Sequence, residues 1–311
     1  MQATHASEQA GSLSNFHFKL SAEQRRLVGD VRAVVQGEFK PRGEQFMNGA
    51  FPWPNIRKLA EMGILGMAVP KAYGGMELGV FETALVLEEI AKGCYVTAMA
   101  VLGEVGTQTR IIATYAPESI KQRLLPGVAK GEHLLSICMT EPHAGTDVGA
   151  YKTNVFRKAG KLVLNGAKSL VSRAEEASAF VVFSRVDGQP GGEGIGCVLV
   201  DRNTVGLSHK SRSHSMGGEY LHTIEFENCE LAEENLLLGP GSLKKLLSAF
   251  NTQRCLNPAI SLGISEGAFA EALSYARSRK AFGRSIGEFQ GMRWKLADMW
   301  REIEAARGLL Y

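Results

Sequence analysis

The feature that most constrains this chain is a change of hydrophobic period. Up to about residue 130, apolar residues recur at helical spacing. From Leu134 the period becomes two and the turn residues become Gly, Asn and Asp, and after Pro240 the helical period returns. The order predicts an α+β multidomain protein. We expect a disordered leader over residues 1–15, an all-helical N-terminal domain over 16–132, and a central antiparallel β domain over 133–239. A C-terminal helical-bundle domain, only partly present, would occupy 240–311. A chain of 311 residues is long enough for each part to bury its own core.

Local signals fill in the elements. Ser21 and Gln24 have capping-box spacing ahead of Leu27, Val28, Val31, Val34 and Val35, and Pro41 is expected to end that helix. Further helices are predicted over 55–62, 81–92, 96–115 and 117–130, the last with Pro117 in its first turn. Strands are predicted over 134–139, 150–157, 162–171, 179–186, 195–201 and 222–226. The glycine-rich loop 187–194 lacks Gly-x-Gly-x-x-Gly spacing and is followed by a strand, so it reads as a hairpin connection, not a phosphate cradle. After Pro240, Leu243, Leu246, Leu247 and Phe250 lead to Arg254, and Pro258 should kink the helix. Ala259, Gly263 and Gly267 then form a small-residue face that admits another backbone or a ligand tail. The last helix, 288–310, carries an apolar stripe of Phe289, Met292, Leu296, Met299, Trp300 and Ile303. That stripe must be covered by a second chain, by further sequence, or by the chain's own β domain.

Composition excludes several classes. A net charge of +3 with no basic run gives no footprint for nucleic acid, and no apolar run of about twenty residues offers a membrane span. The polar amino terminus lacks a signal-peptide core, so a cytoplasmic protein is expected. Five scattered cysteines without a Cys-x-x-Cys pair support neither disulfides nor zinc, and read as buried reduced thiols. His209, His214 and His222 lack ligand spacing and read as loop and edge residues, so no metal site is expected.

The strand at 134–139 runs into a turn containing Thr140, Pro142, Gly145 and Asp147. Such a strand end is either an ordinary turn or a place where free N–H groups and the hydroxyls of Thr140 and Thr146 meet an acceptor-rich ligand. The string Met139-Thr-Glu-Pro-His-Ala-Gly-Thr-Asp147 resembles the flavin-binding signature of the acyl-CoA dehydrogenases, and Lys161-Leu-Val-Leu-Asn-Gly-Ala-Lys-Ser-Leu-Val-Ser172 is similar to the strand that follows it there. Upstream, Phe18-Lys-Leu-Ser-Ala-Glu-Gln24, Lys58-Leu-Ala-Glu-Met-Gly-Ile-Leu-Gly66, Val69-Pro-Lys-Ala-Tyr-Gly-Gly75 and Glu88-Glu-Ile-Ala91 resemble the family's earlier blocks in the same order. Arg279-Lys-Ala-Phe-Gly-Arg284 with Gln290 resembles its later flavin block.

The resemblance implies FAD. Met139 and Thr140 would meet the pyrimidine side of the ring, Gly145 and Thr146 the pyrophosphate, and Ser172 the region of N5. Leu170 stands where the family usually has Trp, and Ile137 where it has an aromatic, which thins the stacking wall. Arg279, Phe282 and Gln290 would reach the flavin of a neighbouring subunit, implying a homo-oligomer, dimer or tetramer. Arg254 and Gly263 would lie along the acyl thioester, carried on coenzyme A or an acyl carrier protein, and an electron-transfer flavoprotein is the implied redox partner. The implied reaction is α,β-desaturation: a carboxylate takes the α-proton and the β-hydrogen leaves as hydride to the flavin. The loop Met216-Gly-Gly-Glu-Tyr-Leu-His222 departs from the family's Arg-Gly-Ser-x-Thr. The family's carboxylate lies beyond Tyr311, and its alternative location corresponds to Gln253, an amide that cannot act as base. Glu266 is the nearest substitute. The catalytic residue therefore stays unassigned, and two other readings remain: a flavin oxidase or monooxygenase on the same scaffold, or a non-catalytic flavin-binding partner or fragment.

Overall fold

In the computed structural model, which describes residues 20–311, the Ser21 hydroxyl accepts from the Gln24 N–H and the Gln24 side chain accepts from the Ser21 N–H. The leader expected at 1–15 lies outside the described residues. This box opens α1 (Ala22–Val34). Pro41 does not end the helical path. The chain continues through a wide turn, Val35–Phe39, and Pro41 then sits in the first turn of Lys40–Arg42, where its missing N–H costs nothing. The stop comes at Gly49, in the left-handed region.

Helices α2 (Trp53–Glu61) and α3 (Val80–Gly93) follow. The single helix expected over 96–115 is two, α4 (Tyr95–Val105) and α5 (Thr107–Tyr115), parted at Gly106. A Cβ there would lie 2.5 Å from the Leu102 carbonyl oxygen, so only glycine makes this joint. Helix α6 (Glu118–Ala129) has Pro117 as its cap, one place earlier than expected.

Eight strands form one sheet: β1 (Leu135–Cys138), β2 (Asn154–Lys158), β3 (Lys161–Ser172), β4 (Ala179–Val186), β5 (Ile195–Asp201), β6 (Leu207–His214), β7 (Tyr220–Leu231) and β8 (Leu236–Leu238). The order is β6-β7-β3-β2-β4-β5-β8, with β1 on β4. Pairing is antiparallel except that β1 runs parallel to β4 and β2 meets β4 in parallel at two positions. Sequence periodicity misses β6 because Ser-His-Lys-Ser-Arg-Ser-His carries no apolar alternation; it is an edge strand made by backbone pairing to β7. His209 and His214 therefore lie on a strand, and His222, on β7, is buried.

Strand β4 is apolar along its length because both faces are covered. Ala179, Val181 and Phe183 face α5 and α6, while Phe180 and Val182 face Leu164, Ile224 and Phe226. Helix α7 (Leu243–Ser278) then joins sheet to helices: Leu246 enters the sheet core, whereas Leu256, Ala259 and Ile260 enter the core of α1–α4. It stays one helix through Pro258. The hairpin β9 (Lys280–Ala281) and β10 (Arg284–Ser285) leads to α8 (Gln290–Leu310), whose Trp300 ring lies 5.3 Å from Phe269 of α7. No described helix is long and apolar enough to cross a membrane.

Candidate active site

Strands β1 and β3 are brought together by side chains and loop backbone. The Ser169 N–H donates to the Thr140 carbonyl at 2.8 Å, and the Ser136 hydroxyl donates to the Ser172 carbonyl at 2.7 Å. Lys168, fully buried, donates to the Met139 carbonyl at 2.7 Å and to Glu141 at 2.9 Å, with its ammonium 3.8 Å from the Tyr151 ring centre. Burial lowers the Lys168 pKa to about 8 against the pull of Glu141. Burial acts the other way on Glu141, but Lys168 and the Lys152 N–H hold its carboxyl below the ordinary value. This pair is electrically closed. It ties the Met139 carbonyl, and with it the Met139–Thr140 backbone, to β3.

Leu170 sits on a bulge of β3 at φ 56 and is 59% exposed. A branched apolar side chain held in the left-handed region and turned outward is costly. Gly145 and Thr146 are exposed in the turn, and a Cβ added to Gly145 meets nothing within 4 Å. Among the described residues, the N–H groups of Gly145 and Thr146 and the hydroxyls of Thr140, Thr146 and Ser172 have no protein partner. Donors left over after β1 and at the end of β3 fit a group rich in phosphate and carbonyl oxygens, which is the chemistry of FAD.

The remaining expected residues lie elsewhere in the chain. Arg279, Phe282 and Gln290 belong to the β9–β10 hairpin and its flanks, all exposed. Phe282 is 96% exposed at φ 53, its ring 6.2 Å from Phe289. Arg254 is exposed, bonded to Asn251, and lines a cavity of about 860 Å³ between α7 and α8. At Gly263 the structure decides between the two readings of the small-residue face. A Cβ would lie 2.3 Å from the Glu88 carbonyl oxygen, so α3 backbone occupies the space a ligand tail would need. Gly263 is thus a packing residue.

Gln253 accepts from the Thr107 hydroxyl at 2.7 Å. Glu266, the substitute base, is tied to Lys92 at 3.0 Å and Arg307 at 2.7 Å. Burial would raise its pKa, but these two cations hold it below the ordinary value. Four of the cysteines are buried as expected, with the Cys138 thiol pushed up to about 12 by burial; Cys255 is exposed because it lies on the outer face of α7. Two buried ion pairs, Lys168–Glu141 and Arg173–Glu104, escape sequence reasoning altogether.

Sequence comparison meets this geometry. The "Acyl-CoA dehydrogenase, N-terminal domain" profile matches residues 21–132, the middle-domain profile 136–229 and the C-terminal-domain profile 243–311. The chain belongs to the acyl-CoA dehydrogenase family. It is similar to the short-chain-specific acyl-CoA dehydrogenase of Clostridium acetobutylicum (33% identity, 94% of this chain, 79% of the relative). It is also similar to a 3-sulfinopropanoyl-CoA desulfinase of Cupriavidus necator (33%, 94% and 77%). Among solved structures, a chain from work on the electron transferring flavoprotein of Acidaminococcus fermentans superposes with a TM-score of 0.88 at 32% identity, covering 95% of this chain and 79% of that one. This acyl-CoA dehydrogenase family member is an FAD-dependent oxidoreductase of acyl thioesters.

Proposed function

We propose that FAD is held by Met139 and Thr140 at the pyrimidine side, Gly145 and Thr146 at the pyrophosphate and Ser172 near N5, with Leu170 against the ring. Arg254 lies along the thioester. The observation that carries this reading is the set of unpartnered donors at Thr140, Gly145, Thr146 and Ser172. When bound, FAD supplies hydride acceptance; the protein's residues orient the thioester beside it and keep water from the ring. The thioester's carrier is coenzyme A or an acyl carrier protein, and the acceptor of its electrons is an electron-transfer flavoprotein, the latter supported by the Acidaminococcus fermentans similarity. The exposed hairpin at Arg279, Phe282 and Gln290 supports a homo-oligomer in which it completes a neighbour's site. Free, mostly buried thiols support a cytoplasmic location.

Among the described residues the four buried glutamates, Glu88, Glu89, Glu104 and Glu141, are ion-paired, so none of them is assigned as the base. The test is direct. Purified protein reconstituted with FAD should turn yellow, and acyl thioesters added without oxygen should perturb the flavin band. Bleaching should be slowed about 10² to 10⁴-fold relative to an enzyme with a placed base. A protein that takes up no FAD would refute the site, and peroxide formation with reductant and oxygen would move the reading to an oxidase.

A further inference from the structure

Arg173 follows Ser172 directly and sits at φ 58, in the left-handed region. Its guanidinium is buried. It donates to the Ala100 carbonyl at 2.6 Å, to Glu104 at 3.2 Å and to the Leu135 carbonyl at 3.2 Å, while its Nε has no partner among the described residues. Glu104, fully buried on α4, also accepts from the Leu135 N–H with both oxygens at 3.2 Å. The Gln108 side chain donates to the same Leu135 carbonyl at 3.3 Å. A Cβ on Gly103 would lie 1.4 Å from the Arg173 guanidinium, so α4 has a glycine where the arginine crosses it.

Stability alone is a weak reason for this arrangement. A buried ion pair can usually be replaced by apolar residues without loss, and here it carries backbone strain and an orphaned nitrogen besides. Its position supplies the reason. Leu135 opens β1, four residues before Met139, and Arg173 is the first residue beyond β3, directly after Ser172. The pair thus holds the root of one flavin-facing strand and the end of the other to one helix. Past the break at Gly106 the chain enters α5, whose Thr107 holds Gln253 on α7.

We propose that Glu104 and Arg173 are positioning residues for the flavin, fixing through the Leu135 and Ser172 backbone the spacing at which Thr140 and Ser172 face the ring. The proposal rests on the assignment of those two residues to FAD. The test uses the full chain with E104Q, which keeps shape and an acceptor for the Leu135 N–H, and R173K, which keeps charge but loses the planar fork. R307K, in the buried Glu88 pair remote from β1 and β3, is the control.

FAD affinity of the apoprotein, the fine structure of the visible flavin band and the apoprotein melting temperature are measured together. E104Q and R173K should weaken FAD at least about tenfold and change the band, whereas R307K should lower the melting temperature and leave the flavin unchanged. Variants that lose stability like R307K but bind FAD with wild-type affinity and spectrum would overturn the proposal. Should either single variant fail to fold, the double variant E104M/R173L decides: it should fold with weakened FAD, and wild-type binding by it sinks the idea. Wild-type protein that binds no FAD removes the site assignment itself, a result distinct from unchanged variants.

Discussion

The carboxyl of Glu104 is pushed up to about 7 by burial, against the pull of Arg173 and the Leu135 N–H. Its folded pKa therefore exceeds its unfolded value of 4.5, and its contribution to stability is fully present below pH 4.5 and lost as pH rises through 7. The amount at stake is roughly 3 kcal/mol. Glu89, Glu141 and Glu266 have the opposite sign: their pKa values are lowered, so what they contribute is lost on acidification. Urea unfolding of wild type and E104Q across pH 4.5 to 7.5 separates the two, and wild type should lose ground to E104Q as pH rises. A pH-independent gap would mean that Glu104 does not titrate there. At Lys168 the expectation is a plain loss. K168M strips buried Glu141 of its ammonium partner, leaving the Lys152 and Thr153 N–H groups and His143, at a cost of about 3–5 kcal/mol, and frees the Met139 carbonyl, so unfolding free energy and FAD occupancy should fall together. The sequence shows what Thr140, Gly145 and Ser172 offer a ligand, since hydroxyls and glycine announce their chemistry locally. It does not show these pairs, because Lys168 lies 27 residues from Glu141 and Arg173 lies 69 from Glu104; only the fold makes them neighbours.

Elements that bury a continuous or periodic apolar face are legible, and those built by backbone pairing alone are not. Strands Ala179–Val186 and Ile195–Asp201 are found at their observed bounds, whereas β6 is missed and β7 is found at less than half its length. The break at Gly106 is hidden for a related reason: glycine within a helical pattern does not say whether a partner forces the chain to turn. Gly263 makes the same point. Its interval from Ala259 and Gly267 is visible, but its neighbour is not. G263A would place a methyl 2.3 Å from the Glu88 carbonyl oxygen and 2.7 Å from the Ala91 Cβ, and should destabilise the α3–α7 contact by about 1–3 kcal/mol. Denaturant unfolding measures that, and acyl-chain preference should not change. A stable G263A with a shortened chain-length range would return the ligand-tail reading.

At the scale of the whole molecule, charge and apolar surface divide along α8. Its inner side is held by a buried network in which Arg307 pairs with Glu88 and Glu266, and Lys92 joins Glu89 and Glu266, tying α3, α7 and α8 together. The stripe predicted from sequence is only partly covered by α7: Ile303 is buried and Trp300 rests on Phe269, but Met299 is 44% exposed, and Trp294, outside that stripe, is 63% exposed. Between the two helices, Pro258, Leu262, Ala268, Phe269 and Met299 line the open cavity that also contains Arg254. Large apolar side chains left half exposed forgo roughly 1 kcal/mol each, and several in one patch approach the margin of a domain. The hairpin adds a further uncovered apolar side chain, Phe282. We therefore expect the 311-residue chain to self-associate through α8 and this hairpin, and F282A to lower FAD affinity and the oligomer's stability together. Light scattering against concentration, with FAD titration of the same samples, checks both. A monomer that binds FAD with full affinity would show that the hairpin serves no neighbour. A defined dimer whose FAD affinity falls with dissociation would place Arg279 and Phe282 at the partner's site.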